Sequence, residues 1–154
     1  MNSRKAISNL LKTVAVFSLL LCSCRLISPE GESGEIPDEE DVFSIEEARN
    51  GAEGSIVWVE GFVIGGDLSS KSMSFTPPFK TATNLAISPG PDIRERDSCL
   101  SVQLPKGALR DSLNLVDHPE LLGRHIYLKG ELSGAYFGLK GLKNTSRYLH
   151  SLNH

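Results

Sequence analysis

The sequence predicts a mainly β protein, a small barrel of five strands with one short helix between the third and fourth strands. Three observations predict this fold. Apolar and polar residues alternate, as in half-buried strands, in five separate segments. Helical spacing replaces that alternation after the third segment, and glycine or proline interrupts the chain between segments. This order of elements is that of a five-stranded, OB-fold-like Greek-key barrel.

Five segments are predicted as strands: SIVWVEGFVIGG (55–66), NLAIS (84–88), SCLSVQLP (98–105), RHIYLKGEL (124–132) and LKGLKNTSRYL (139–149). Gly61 marks a twist in the first strand, which ends at Gly65 and Gly66. Ser101 and Gln103 should point outward, because they alternate with apolar residues. Val57, Val59 and Val63 fall on one face of the first strand, and Trp58, Glu60, Phe62 and Ile64 fall on the other. The side chains expected inside the barrel are Leu100, Val102, Leu104, Ile126, Leu128 and Leu132.

Helical patterns occur twice. Ser44 is predicted to cap a short helix, with Glu47 as its capping-box partner and Gly51 as its end. The second helix is predicted between the third and fourth strands, in KGALRDSLNLVDHPELLG, and Pro119 limits it. The apolar face of this second helix is expected to consist of Leu109, Leu113 and Val116.

The N-terminus has the order of an export signal, with basic residues before an apolar run. Lys12 cuts that run well short of the roughly 20 apolar residues that a membrane-spanning helix needs. The stretch LLLCSC resembles the lipobox of bacterial lipoprotein signals, in which a small residue precedes the acceptor cysteine. Cys24 fits because Ser23 precedes it, whereas Leu21 precedes Cys22. An ordinary cleaved secretory signal is the alternative.

The lipobox resemblance implies that Cys24 carries a diacylglyceryl thioether and a further N-acyl chain such as palmitate. Two or more acyl chains suffice for stable anchoring, so the membrane is a predicted partner. The predicted location is the bacterial cell envelope, on the outer membrane, facing the periplasm or the surface. The predicted parts are the signal peptide (1–23), an acidic disordered tether (24–43), an OB-fold-like domain (44–150) and a tail (151–154). The acidic residues of the tether are either a weak export signal or a solvated linker.

Charge and cysteine usage limit the function classes. Beyond residue 44 the chain carries twelve basic and twelve acidic groups, which argues against strong binding to duplex nucleic acid. A local basic excess remains near the C-terminus. Cys99 is left without an intramolecular partner, so it is either a buried apolar residue or a reactive thiol. The residues of the basic excess are Arg124, Lys129, Lys140, Lys143 and Arg147.

Catalytic patterns are not found in the sequence. The histidines are scattered or terminal, without the spacing that metal ligands require, so neither a metal nor another cofactor is predicted. No nucleophile elbow or catalytic-cysteine signature is present, and no enzymatic activity is predicted. The four histidines are His118, His125, His150 and His154.

Five segments together resemble a known family. VWVEGFVIGG, TNLAIS, CLSVQLPKGALRDSLNL, LGRHIYLKGEL and AYFGLKGLKN are similar, in order and spacing, to an uncharacterised OB-fold-like domain of unknown function. That domain occurs in exported proteins and lipoproteins of Bacteroides-type bacteria, and the resemblance covers residues 43–148. Related barrels occur beside extracellular nuclease domains, which implies an accessory binding role for those barrels. The family brings no assigned chemistry.

Binding is the remaining function class. OB-folds usually bind ligands on strands two and three and on the loops after strands one and four, here residues 67–83 and 133–138. Aromatic rings near cations could stack bases or sugars, or could simply close the barrel ends. The candidate residues are Trp58, Phe75, Phe79, Lys80, Tyr127, Lys129, Tyr136, Phe137 and Lys140.

Two hypotheses of different class follow. The first is a membrane-anchored, non-catalytic binding module for an oligosaccharide, a single-stranded oligonucleotide or a peptide. The second is a structural accessory subunit that docks on another cell-envelope protein through an apolar patch.

Overall fold

The computed structural model describes residues 37–38 and 42–151. The predicted signal peptide, Cys24, most of the tether and residues 152–154 lie outside the described residues. Within them, no helix is both long and apolar enough to cross a membrane. The elements are β1 (Val42–Phe43), α1 (Ile45–Asn50), β2 (Ile56–Gly65), β3 (Asn84–Ser88), β4 (Leu100–Gln103), α2 (Ala108–Leu113), β5 (His125–Tyr136) and β6 (Leu139–His150).

Strand pairing closes the sheet into a barrel. β2, β3 and β4 form an antiparallel meander, β4 pairs in parallel with β6, and β6 pairs antiparallel with β5. β5 then pairs antiparallel with β2, which completes the ring. β2 is long enough to pair with two strands: its first part lies beside β5 and its last part beside β3. This connectivity, with α2 between β4 and β5, is that of an OB-fold and confirms the predicted fold class.

One strand is additional to the five predicted. β1 has two residues and pairs in parallel with β2, Val42 lying opposite Trp58 and Phe43 opposite Val59. A strand of two residues has no alternation that a sequence pattern could show. α1 follows directly and has the predicted capping box: the Glu47 N–H donates to Ser44 Oγ at 3.2 Å, and the Ser44 N–H donates to Glu47 Oε2 at 2.8 Å.

The main core lies inside the barrel. It contains all the residues predicted to point inward from the third and fourth predicted strands. β2 adds Val59 and Val63, with Val57 only partly buried, and α1 adds Ile45 and Ala48. α2 and the segment after it add Leu113 and Leu115. Burying these side chains removes apolar surface from water and is the main stabilising contribution.

The orientation predicted for Val116 is corrected. Val116 is 44% exposed and Leu115 is buried, because α2 ends at Leu113 and the helical spacing does not continue. Asn114 ends the helix: its backbone N–H and its Nδ2 both donate to the Arg110 carbonyl oxygen. Ser101 points away from the barrel interior, as predicted, yet it is fully buried, because a second layer of side chains covers it.

Candidate ligand-binding surface

The face on which OB-folds usually bind is covered by the chain itself. The outward side chains of β3 and β4, called here the covered face, are buried except for the partly exposed Gln103. Its other members are polar or small, as is typical of a face that meets solvent or ligand. The hydroxyl of Ser101 has no hydrogen-bond partner among the described residues. The covered face consists of Asn84, Ala86, Ser88, Ser101 and Gln103.

The cover is a second apolar cluster. Leu68 and Phe75 of the β2–β3 loop, Leu139 of β6, and the neighbouring Ile64 and Cys99 pack over Ala86. Arg96 joins the two loops on which OB-folds depend for binding. Its Nε donates to the Leu68 carbonyl oxygen at 2.8 Å and its Nη2 donates to the Phe137 carbonyl oxygen at 2.6 Å. Charge-assisted hydrogen bonds of this kind are worth more than neutral ones, so the cover is held at both ends.

The β5–β6 hairpin completes the cover. The Tyr136 hydroxyl donates to Asn84 Oδ1 on the covered face. The Tyr136 ring stacks on Phe137 with centroids 4.4 Å apart, and Lys143 Nζ lies 5.3 Å from the centre of the Tyr136 ring. Burial, with the nearby negative charge of Asp67, raises the pKa of the Tyr136 hydroxyl. Tyr136 is therefore a neutral donor that holds the hairpin against the sheet.

The other residues predicted to bind a ligand lie in environments that differ from one another. Phe79 is only 7% exposed and belongs to the main core, which corrects its prediction as a binding aromatic. Phe75 is half-buried in the cover, and Lys80 is exposed. Lys140 lines a groove of about 410 Å³ between α1 and the start of β6, together with Arg49. These residues do not converge on one site.

A second surface gathers aromatic and charged side chains. It is formed by the outward residues of β2, β5 and β6 and is called here the outer sheet face. Strand register arranges these residues in rows across the three strands. Predicted residues Trp58, Tyr127 and Lys129 all lie on it. The outer sheet face consists of Ile56, Trp58, Glu60, Phe62, His125, Tyr127, Lys129, Glu131, Lys143, Arg147 and Leu149.

The central row places one aromatic ring beside two cations. Across neighbouring strands, Trp58 lies opposite Lys129, and Lys129 lies opposite Arg147. Lys129 Nζ lies 5.8 Å from the centre of the indole ring, and Arg147 Cζ lies 5.5 Å from it. Both distances are within the range of cation–π attraction. Arg147 is exposed, while Trp58 and Lys129 are partly exposed, so the row is accessible from solvent.

Carboxylates lie in the rows on both sides of the central row. Glu60 is opposite Tyr127, and its Oε2 lies 3.4 Å from His125 Nε2. Glu131 is opposite Lys143, and its Oε2 accepts a hydrogen bond from Asn144 Nδ2 at 2.9 Å. The central row therefore has a carboxylate in each neighbouring row, and the row of Glu131 also contains the cation Lys143.

The free cysteine, Cys99, is buried and does not belong to the outer sheet face. Burial raises the pKa of the Cys99 thiol to about 11, and the nearby Glu95 contributes, so the thiol is protonated at neutral pH. The structure agrees with the buried interpretation of this cysteine. Among residues 37–38 and 42–151, no cluster of three or more potential metal ligands occurs.

Sequence reasoning missed three residues that organise these surfaces. Arg147 was noticed only as part of a local basic excess, because its position beside Trp58 depends on the register of three strands. Glu60 and Arg96 gave no signal. Arg96 contacts carbonyl groups 28 and 41 residues away, and no local pattern indicates such contacts.

The barrel topology described above defines an OB-fold-like domain. The chain belongs to the family described as "Domain of unknown function (DUF6359)", whose profile matches residues 43–151. The resemblance seen in the sequence is thereby confirmed at the level of an uncharacterised domain.

No curated protein matches the chain. A chain from the crystal structure of the S. pombe Stn1–Ten1 complex is similar over 77% of this chain and 82% of its own length, at 10% sequence identity and a TM-score of 0.39. A likeness this weak supports no conclusion about function.

Proposed function

We propose that the protein is a membrane-anchored lipoprotein of the bacterial cell envelope whose OB-fold-like domain is a non-catalytic binding module. The ligand meets the outer sheet face, with Trp58 and its two cations at the centre. Cys24 carries the lipid, and the acidic tether holds the domain away from the bilayer. This location of the ligand differs from the usual OB-fold surface.

One observation carries the proposal: aromatic and charged groups are solvent-accessible on the outer sheet face, while the usual face is closed by Leu68, Phe75 and Leu139. A ligand reaching the covered face would have to break the Arg96 hydrogen bonds and expose apolar side chains. The outer sheet face requires no such rearrangement. Flat aromatic surfaces beside cations suit sugar rings or bases.

The chain offers a direct test because Trp58 is its only tryptophan. We would titrate the purified full-length chain with oligosaccharides, oligothymidylate and peptides at low and physiological salt, and record tryptophan emission. One ligand class should change the emission in a saturable way. Absence of a saturable response to every class would contradict the proposal.

Calorimetry on variants then locates the site. Trp58→Ala should weaken binding about tenfold, since stacking on one aromatic ring is worth roughly 1–3 kcal/mol. Phe137→Ala is the matched control, because it removes an aromatic ring from the β5–β6 loop and leaves the outer sheet face intact. Equal losses in the two variants would argue against the outer sheet face.

A structural accessory subunit is the alternative function. Ile56 favours it, because this large apolar side chain is 70% exposed at one end of the outer sheet face. Crosslinking in cells followed by mass spectrometry separates the two functions. A docking subunit predicts one stoichiometric protein partner linked near Ile56, whereas a ligand-binding module predicts none.

A further inference from the structure

The central row of the outer sheet face contains an electrostatic conflict. Lys129 and Arg147 are directly opposite each other on neighbouring strands. Like charges in that relation destabilise a sheet. Four ion pairs occur among the described residues, and neither Lys129 nor Arg147 takes part in any of them. Both cations are attracted to the Trp58 ring, but the ring carries no net charge and neutralises neither of them.

An anionic group placed between the two cations would remove the conflict. The guanidinium of Arg147 can donate two parallel hydrogen bonds to a carboxylate, and the ammonium of Lys129 adds a compact positive charge. Trp58 holds both cations over its ring, so their positions are restricted before a ligand arrives. A restricted site loses less side-chain entropy on binding.

The flanking rows limit the ligand to isolated charges. Glu60 and Glu131 lie one row away on either side, which is about 7 Å along the strands. Lys143 is opposite Glu131, but its ammonium lies over the Tyr136 ring, 5.3 Å from the ring centre. A nucleic acid carries a phosphate at every nucleotide, and its neighbouring phosphates would approach these carboxylates. A ligand with one anionic group between neutral, hydroxyl-bearing units fits better, because hydroxyls can donate to both carboxylates.

We propose that the outer sheet face recognises an oligosaccharide in which a carboxylated sugar lies between neutral sugars, with the carboxylate at Lys129 and Arg147. The proposal rests on the proposed function and names its ligand class. Tyr127 and Leu149, opposite each other in the next row, provide an apolar surface for an adjacent sugar ring.

Matched ligands test this proposal. We would use calorimetry with the full-length chain and a set of hexasaccharides that each contain isolated uronic or sialic acid residues. The same sugars, with each carboxyl group reduced to a primary alcohol, are the neutral controls. The carboxylated form should bind at least about tenfold more tightly, as expected for the loss of a charge-assisted hydrogen bond.

Variants assign the effect to the central row. Arg147→Gln should remove most of the preference for the carboxylated form over the reduced form. Lys106→Gln, an exposed cation just before α2, is the matched control and should keep the preference. If Arg147→Gln kept the preference as well, the proposal would be overturned.

Decathymidylate tests the role of the flanking carboxylates. It should bind the native chain more weakly than the carboxylated sugars, and the double variant Glu60→Gln with Glu131→Gln should bind it more tightly than the native chain. Tighter binding of decathymidylate than of any sugar would overturn the sugar proposal and leave the binding module intact. Equal binding of carboxylated and reduced sugars would also overturn the sugar proposal and leave the binding module intact. Absence of binding by any ligand would overturn the proposed function as well.

Discussion

At the scale of the residue, Phe137 occupies a costly backbone conformation. Its φ is 58° and that of Gly138 is 79°, so both central residues of the β5–β6 turn have positive φ, the pattern of a type I′ hairpin turn. Asparagine and glycine suit this turn, whereas a bulky residue at positive φ costs about 1–3 kcal/mol. The hairpin thus places an aromatic ring against Tyr136 at the expense of backbone strain.

Phe137→Asn should raise the free energy of unfolding by about 1 kcal/mol, because relief of the backbone strain exceeds the lost ring stacking of about 0.5–1.5 kcal/mol. Urea denaturation measures the change. Phe137→Ala is the control: it loses the ring without gaining a residue that favours positive φ, and it should lower stability. A loss of equal size in both variants would mean that the turn is not strained.

At the scale of the element, the cover and the first helix each depend on one side-chain arrangement. Arg96 holds the β2–β3 loop and the β5–β6 hairpin together through two carbonyl oxygens. The Ser44 and Glu47 side chains satisfy two backbone N–H groups at the start of α1. Both arrangements provide hydrogen-bond partners for backbone groups at the ends of elements or in loops.

Arg96→Ala should lower the free energy of unfolding by about 2 kcal/mol. This is less than the sum of two hydrogen bonds from a charged donor, at roughly 1.5–3 kcal/mol each, because the Arg96 side chain is 28% exposed and water can replace it at the carbonyl groups. Hydrogen exchange should also become faster at Leu68 and Leu139. Arg94→Ala is the control, since the Arg94 side chain is 47% exposed and bonds locally: its Nη1 donates to the Asp92 carbonyl oxygen at 3.3 Å and lies 3.9 Å from the Asp92 carboxylate. Unchanged exchange in Arg96→Ala would show that the cover does not depend on this side chain.

The capping box of α1 predicts a pH dependence of stability. Hydrogen bonds from the Ser44 backbone and side chain lower the pKa of Glu47 below its ordinary value of 4.5. Because the folded-state pKa is the lower one, the stabilisation is complete above pH 4.5 and is lost as the pH falls through the folded-state pKa.

The stability difference between the native chain and Glu47→Gln should therefore shrink between pH 6 and pH 3. Urea denaturation across that range measures it, with Glu46→Gln on the same helix as the control. A Glu47→Gln difference that stayed constant with pH would show that the carboxylate is not bound by Ser44 in solution.

At the scale of the whole molecule, the barrel was predictable and its surface was not. Alternation is a local signal, and it predicted the inward residues of β4 and β5 and the two faces of β2, without saying which face of β2 points inward. The cover was missed because Leu68, Phe75 and Leu139 meet only after the barrel has closed, and no periodic pattern marks them. The row of Trp58, Lys129 and Arg147 was missed for the same reason, since it exists only through strand register.

The proposed anchor makes a prediction for the full chain in a bacterial host. Cys24→Ala should prevent lipid attachment and move the protein from the membrane fraction to the soluble fraction, because no acyl chains would hold it in the bilayer. Detergent phase partitioning with labelled palmitate measures this. Cys99→Ala is the control and should leave both labelling and fractionation unchanged, since Cys99 is buried in the barrel domain. Continued labelling of Cys24→Ala would contradict the assignment of the acceptor.

The central claim is that the outer sheet face, and not the covered face, meets the ligand. Chemical-shift mapping of the ¹⁵N-labelled full-length chain, saturated with a carboxylated hexasaccharide, tests it most directly. The largest shifts should fall on Trp58, Lys129 and Arg147, with little change in β3 and β4. Shifts concentrated at Asn84, Ser101 and Tyr136 would mean that the cover opens and that the usual OB-fold face binds instead.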